Sequence, residues 1–462
     1  MAVLNICILM KIFCLICAII YTCFSCVDYV GIRDSWFIPI TLLLYVVMNC
    51  LYLRLYRKKQ LFCFEFFFSI SFFLCSFLTP FILPLLDSYE SRTFVTTISN
   101  QIRVYILSFL GYCFYMLGLI AFKDEKKNRG IWFNVSFSSQ NSFVSNILCF
   151  ISISMFYATG GVRLLTLYSN LASDLTDRYG NWGEFMIYSV YLYSISIVVN
   201  LTAIGKVASS LRMLLKKMPR LFYLNTILLL FPLLLSGLRS VSVQLLIPLL
   251  MMYSIMVKRI KFKYVLGIIL LGYFLLVLIG ITRHGNGMIE KDSIFLTLVS
   301  DFVSANGANS FLVDYTDSHG ITGGSNMILP VASIVPFLQS VILLFVDKNE
   351  LSLSSSSVFT RTFMDSSQGG LGTGLIGDIY YTFGTIGVIV LMYLLGFSIR
   401  KLTNAHNSPY ALAALMTVSG NAIFAPRVEY CYILRSVSYT VIFLFIIIII
   451  LGRKNEYSLC NR

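Results

Sequence analysis

Charge is what this chain has least of. Only 12% of its 462 residues are Asp, Glu, Lys or Arg, against about a quarter in a soluble domain. So few charges cannot cover a surface in water, and 58% of the residues are hydrophobic, so the surrounding solvent must be lipid. Histidine is scarce as well, at three residues. The outer segments lack the clustered Asp or Glu that a Mg²⁺ site needs, so neither a metal nor a cofactor is expected. No internal repeat relates one half of the chain to the other, which weakens a transporter built from two matched halves. The first apolar stretch is too long for a signal peptide and has no small-residue cleavage site, so it reads as a retained helix.

What is present points the same way. The formal net charge is +14, but the basic residues fall in short clusters between apolar stretches, as the flanks of membrane helices do, and form no nucleic-acid-binding patch. Twelve cysteines occur, most of them inside apolar runs, where they act as small hydrophobes and not as a disulfide framework. Cys23 and Cys26 make a C-x-x-C pair with no further ligand in evidence. Aromatic residues, at 15%, suit lipid-facing and interfacial positions.

Apolar windows of about twenty residues fall near 3–25, 36–54, 61–83, 103–122, 146–161, 185–205, 221–238, 241–257, 264–282, 375–399, 409–426 and 435–452. The expected fold is therefore an all-α polytopic membrane helix bundle with about twelve transmembrane helices. It divides into nine helices over 1–282, a large outer segment over 283–374, and the last three helices over 375–462. With the N-terminus inside, the short inner loops hold 22 basic residues and the longer outer segments 12. That asymmetry puts both termini in the cytoplasm. The stretch 327–346, with Pro330 and Pro336, is long enough to span. A single crossing there would invert everything downstream, so a re-entrant or surface-lying helix pair is expected.

The outer basic residues are ten Arg and two Lys, while the inner set includes 13 Lys. Topogenic charge is indifferent to the choice of cation, but a phosphate site favours the fixed fork of guanidinium. Three arginines lie at outer helix ends: Arg239 in Ser236-Gly237-Leu238-Arg239-Ser240, Arg283 in Thr282-Arg283-His284-Gly285, and Arg427 in Ala425-Pro426-Arg427-Val428-Glu429, with Arg435 two turns on. A cation at that depth needs a partner or a task, snorkelling to headgroups being the plain alternative. Their shared chemistry is recognition of a diphosphate, whose leaving charge fixed guanidiniums would stabilise.

Gly-rich turns lead into the run 370–396, which carries Asp378, Tyr380 and Tyr381 before becoming fully apolar. A carboxylate a turn inside the outer face either pairs with an arginine or acts as a base. His284 is a second candidate base. Arg163 and Arg178, in the outer loop 160–182, sit among aromatics, amides and carboxylates of the kind that contact sugars. Tyr380 and Tyr381 join them as candidate glycan contacts.

The Gly237-Leu238-Arg239-Ser240 turn, the arginine opening a large loop, and the run Gly377-Asp378-Ile379-Tyr380-Tyr381-Thr382-Phe383-Gly384-Thr385-Ile386-Gly387 together resemble the Wzy O-antigen polymerases. That family more often carries Glu where Asp378 stands. The resemblance implies a GT-C-like membrane glycosyltransferase of the bacterial inner membrane. It would move a growing glycan from undecaprenyl diphosphate onto the non-reducing end of a new lipid-linked repeat unit at the periplasmic face. On that reading Arg239 and Arg283 hold the donor diphosphate, Arg427 assists or orients the acceptor, and Asp378 or His284 takes the acceptor proton. A chain-length-regulating co-polymerase is the implied partner. An O-antigen ligase shares the donor, but ligases usually place a histidine shortly before the last helices, and the stretch ahead of Gly384 has none. A flippase or other transporter would carry charges deep within several helices, whereas here they crowd helix ends.

Overall fold

A computed structural model describes residues 2–25, 37–57, 63–79, 98–121, 140–162, 183–205, 210–235, 239–258, 260, 261, 263–265, 267, 270, 272, 294–336, 338–345, 354–363, 372–405 and 408–460. Among them helix is the sole regular structure. The first half holds α1 (Ala2–Ser25), α2 (Phe37–Tyr52), α3 (Phe64–Phe77), α4 (Ile98–Leu119), α5 (Gln140–Phe156), α6 (Gly183–Gly205), α7 (Leu211–Lys217), α8 (Arg220–Leu235) and α9 (Arg239–Met256). The second holds α10 (Ile294–His319), α11 (Ile328–Ala332), α12 (Leu338–Ile342), α13 (Ser355–Phe363), α14 (Leu375–Asn404), α15 (Pro409–Gly420) and α16 (Tyr430–Cys460).

Six of the described stretches are long and apolar enough to cross a membrane: Ile8–Ser25, Phe37–Tyr56, Ile102–Leu119, Phe143–Gly161, Leu375–Asn404 and Tyr430–Ile449. The chain is a multi-pass membrane protein. Hydropathy gives twelve windows; the other six meet shorter apolar helices or fall largely outside the described residues. The window 264–282 falls almost wholly outside the described residues. At 409–426 the helix runs for only 12 residues, about 18 Å at 1.5 Å per residue. It stops where Asn421 turns back, its Nδ2 donating to Thr417 O at 2.8 Å and its Oδ1 accepting from Gln244 Nε2 at 2.9 Å. Around 327–346 the chain forms two helices of five residues each, α11 and α12. The segment 294–303 opens a helix of 26 residues, α10.

The bundle is apolar outward, and its interior mixes small and hydroxyl-bearing residues with a large aromatic set that includes Phe64, Phe68, Phe72, Phe77 and Phe109. On α1, Leu9 and Ile19 are exposed, while Cys14, Cys17, Ala18 and Tyr21 are buried. Some inward hydroxyls bond to neighbouring helices, which offsets the cost of polarity where water is absent. Tyr45 donates to Ser69 O at 2.6 Å, and Tyr112 donates to Asn49 Oδ1 at 2.6 Å. One continuous core links these helices with α4, α6 and α14.

The tightest crossing lies between α4 and α14. A Cβ added at Gly396 would fall 2.0 Å from Tyr115 O, and one at Gly118 would fall 2.2 Å from Tyr393 O. Only glycine lets two helix backbones approach so closely. Helix α14 also breaks within its length at Gly384, where φ is +66° and ψ is −156°. That conformation is essentially restricted to glycine. The break divides α14 into a short N-terminal piece carrying Asp378 and a long apolar piece that ends near Arg400. Arg400 is buried, its guanidinium 5.1 Å from the Tyr56 ring centroid.

Candidate functional site

The N-terminal piece of α14 is held by α10, the segment 320–327, α13 and the start of α16. Gly377 N–H donates to Asn309 Oδ1 of α10 at 2.7 Å. A Cβ at Gly374 would lie 2.0 Å from the same oxygen, so glycine is required for α10 to approach. The break at Gly384 interrupts the helical ladder, and Tyr381 O accepts instead from Thr322 N–H at 3.1 Å. Thr322 donates to Asn326 Oδ1 at 2.5 Å, and Asn326 Nδ2 donates to Thr382 Oγ1 at 3.0 Å. The segment 320–327 is thereby stapled to α14, its turns allowed by positive φ at Gly320, Gly323 and Gly324.

Within this frame Asp378 is only 2% exposed. Its Oδ1 accepts from Ser355 Oγ at 2.5 Å and its Oδ2 from Tyr430 N–H at 2.9 Å. The residues beside those two partners are also joined. Glu429 Oε1 accepts from Ser356 Oγ at 2.6 Å and from Ser356 N–H at 3.4 Å. Two carboxylates thus lace the start of α13 to the start of α16. Carboxylates at a helix N-terminus are favoured by its dipole and satisfy its open amides.

Glu429 borders a pocket of about 270 Å³, which Asn326, Ser356, Ser357, Tyr432 and Arg435 also line. Arg435 is half-buried and its guanidinium lies 5.9 Å from the Tyr439 ring centroid. A narrower gap, with no room for water, runs from the pocket to Asp378 past Asn326, Pro330, Ser354, Glu429 and Cys431. Asp378 therefore lies one layer beneath the pocket and Glu429 at its wall.

The other sequence candidates are distributed as follows. Arg427 ends a 3-10 turn, Ala425–Arg427, and its half-buried side chain sits two residues before Glu429. Arg239 opens α9, but its side chain lies outside the described residues, as do Arg163, Arg178, Arg283 and His284. Tyr380 and Tyr381 are both buried, and neither lines the pocket. The Tyr380 hydroxyl donates to Asp317 Oδ1 at 2.8 Å and accepts from Arg103 Nη2 at 2.8 Å, while Arg103 and Asp317 form an ion pair. This triad joins α4, α10 and α14. Tyr381 packs on Leu312 and Val358. Sequence reading passed over Glu429, Ser356, Asn309, Asn326, Arg103 and Asp317. Glu429 carried a signal, being an acid two residues from a helix-end arginine. The serine run 354–357 carried another, four hydroxyls at the start of a helix.

Among the described residues, a helical bundle whose apolar faces point outward, with Glu429 at the wall of a hydroxyl-lined pocket and Asp378 beneath it, defines a polytopic membrane protein with a built polar site. The model of the family O-antigen polysaccharide polymerase Wzy matches residues 3–455. The chain belongs to that family and is an O-antigen polymerase. No curated protein and no solved structure matches it.

Proposed function

We propose that the chain joins lipid-linked repeat units by glycosyl transfer at the periplasmic face of the inner membrane, in the manner of a GT-C-type enzyme, with both termini in the cytoplasm. The donor is the growing glycan on undecaprenyl diphosphate. The acceptor is the non-reducing end of a new repeat unit on its own lipid diphosphate. An acceptor hydroxyl oxygen bonds to the donor's anomeric carbon as the bond from that carbon to the diphosphate breaks. The lipid diphosphate departs with the bonding electrons, and the hydroxyl proton passes to a base at the outer mouth. Arg239 and Arg283 hold the departing diphosphate, whose charge grows as the bond breaks, and Arg427 assists. Arg163 and Arg178 contact the glycan. Asp378 and His284 are the bases that sequence reading offers, and a separate co-polymerase sets chain length. The match over 3–455 is the observation that supports this reading most strongly.

The test is reconstitution. Purified protein in lipid nanodiscs, given a lipid-linked repeat unit alone, should produce a ladder of longer lipid-linked glycans and release free lipid diphosphate. In cells, loss of the gene should leave a single repeat unit on the core. Replacing Arg239→Lys or Arg283→Lys keeps the charge and removes the fork, and should lower ladder length and yield. Wild-type laddering in both would overturn the diphosphate role.

A further inference from the structure

We infer that the pocket beside Glu429 is the subsite for the acceptor's terminal sugar, and that the Glu429 carboxylate receives the acceptor proton. The inference rests on the glycosyl-transfer reading above and goes beyond it in naming the substrate and the base at this pocket.

Charge is the first argument. The pocket wall holds one carboxylate, Glu429, and one guanidinium, Arg435, and is otherwise made of hydroxyls, amides and small apolar groups. Formal charge balances, which is a poor setting for a diphosphate and a good one for a neutral polyol needing donors and acceptors together. Size agrees: the pocket's 270 Å³ lies just below the roughly 300–1,000 Å³ of small-molecule sites, room for a terminal sugar but not for a whole repeat unit. Access is the third argument. Asp378 is enclosed and both its oxygens are engaged, so a substrate hydroxyl reaches it only if the site comes apart. Glu429 already stands at the wall, its Oε1 fixed by Ser356. A base must come within hydrogen-bond reach of the proton it takes.

Asp378 is on this account a positioning residue. Its partners, Ser355 and Tyr430, are the chain neighbours of Ser356 and Glu429. It therefore sets the spacing between the base and the group that holds it. In the transfer, the acceptor O–H proton goes to Glu429 while the oxygen bonds to the anomeric carbon. The proton is later lost to water, restoring the carboxylate.

The test uses the full chain in nanodiscs with synthetic lipid-linked repeat units, one labelled as donor and one as acceptor. Wild type must first lengthen the glycan; if it does not, the glycosyl-transfer reading fails before this inference is reached. Given active wild type, Glu429→Gln should lower kcat about 100-fold or more, with donor binding retained within twofold. Asp378→Asn should instead act mainly on the acceptor KM; a loss of kcat as large as that of Glu429→Gln with KM unchanged returns the role of base to Asp378 and overturns the inference. Turnover of Glu429→Gln within threefold of wild type overturns the inference. So does loss of donor binding in that variant, which would make the pocket part of the diphosphate site. Should Glu429→Gln fail to fold, Glu429→Asp keeps the acid on a shorter arm. Reduced kcat with unchanged donor binding then supports the inference, and wild-type kcat overturns it.

Discussion

Asp378 shows what a single side chain does here. Buried away from water, its carboxylate keeps two donors from different helices satisfied, Ser355 Oγ and Tyr430 N–H. Asp378→Ala leaves both unpaired, at about 1–3 kcal/mol for each stranded buried group. The variant should lose thermal stability in detergent and give a shortened ladder, measured by fluorescence-detected unfolding and by gel. The Arg103–Asp317 pair predicts the opposite scale of effect. Its side chains are 41% and 32% exposed, so a double-mutant cycle on unfolding should give only about 0.2–1 kcal/mol of coupling. The sequence announced Asp378 as a carboxylate that pairs or reacts. Its partners were hidden, because a serine run and a backbone amide carry no pattern that points to position 378.

Helices α4, α10 and α14 carry the argument at the next scale. Gly396→Val puts a branched side chain where the α4 backbone lies, and flexible neighbours cannot give way because the clash is with main-chain atoms. The expected outcome is loss of monodisperse protein in size-exclusion chromatography, with Gly118→Val behaving alike. Gly384→Ala has room for its methyl group, 3.6 Å from Ile321, so any loss comes from the backbone angle, about 1–3 kcal/mol. It should fold and be destabilised, as thermal unfolding would show. The motif Phe383-Gly384-Thr385-Ile386-Gly387 was legible as a pattern; the structure supplies its content, a helix break at Gly384 and a side-chain-free contact under Phe383 at Gly387. Helix α10 was largely illegible. Its buried positions include Asn306, Asn309, Ser310 and Thr316 among Ala305, Ala308, Leu312 and Val313, so the inward face is half polar and hydropathy passes over it. Asn306 donates to Ser76 O at 3.1 Å and Asn309 accepts from Gly377, which is why that polarity is compatible with burial.

At the scale of the molecule, composition alone settled the solvent, since apolar residues had to face something other than water. The number of crossings was harder to read, because at two of the twelve apolar windows the helices α3 and α15 run for only 14 and 12 residues. Just after α12, Leu344 and Phe345 are 80% and 83% exposed, an apolar surface suited to lipid. A fluorophore on Leu344→Cys should be quenched by doxyl-labelled lipid in nanodiscs, and quenching by an aqueous agent alone would refute that placement. The ends of α14 define a vertical scale. Asp378 and Arg400 lie 22 residues apart, about 33 Å of helical rise, close to the roughly 30 Å of a bilayer's hydrocarbon. The break at Gly384 falls between them, so the anchored first turns of α14 and its long apolar shaft are separate helical pieces. When bilayer thickness changes and the shaft tilts to match, the pivot absorbs the rotation and the carboxylate keeps its place.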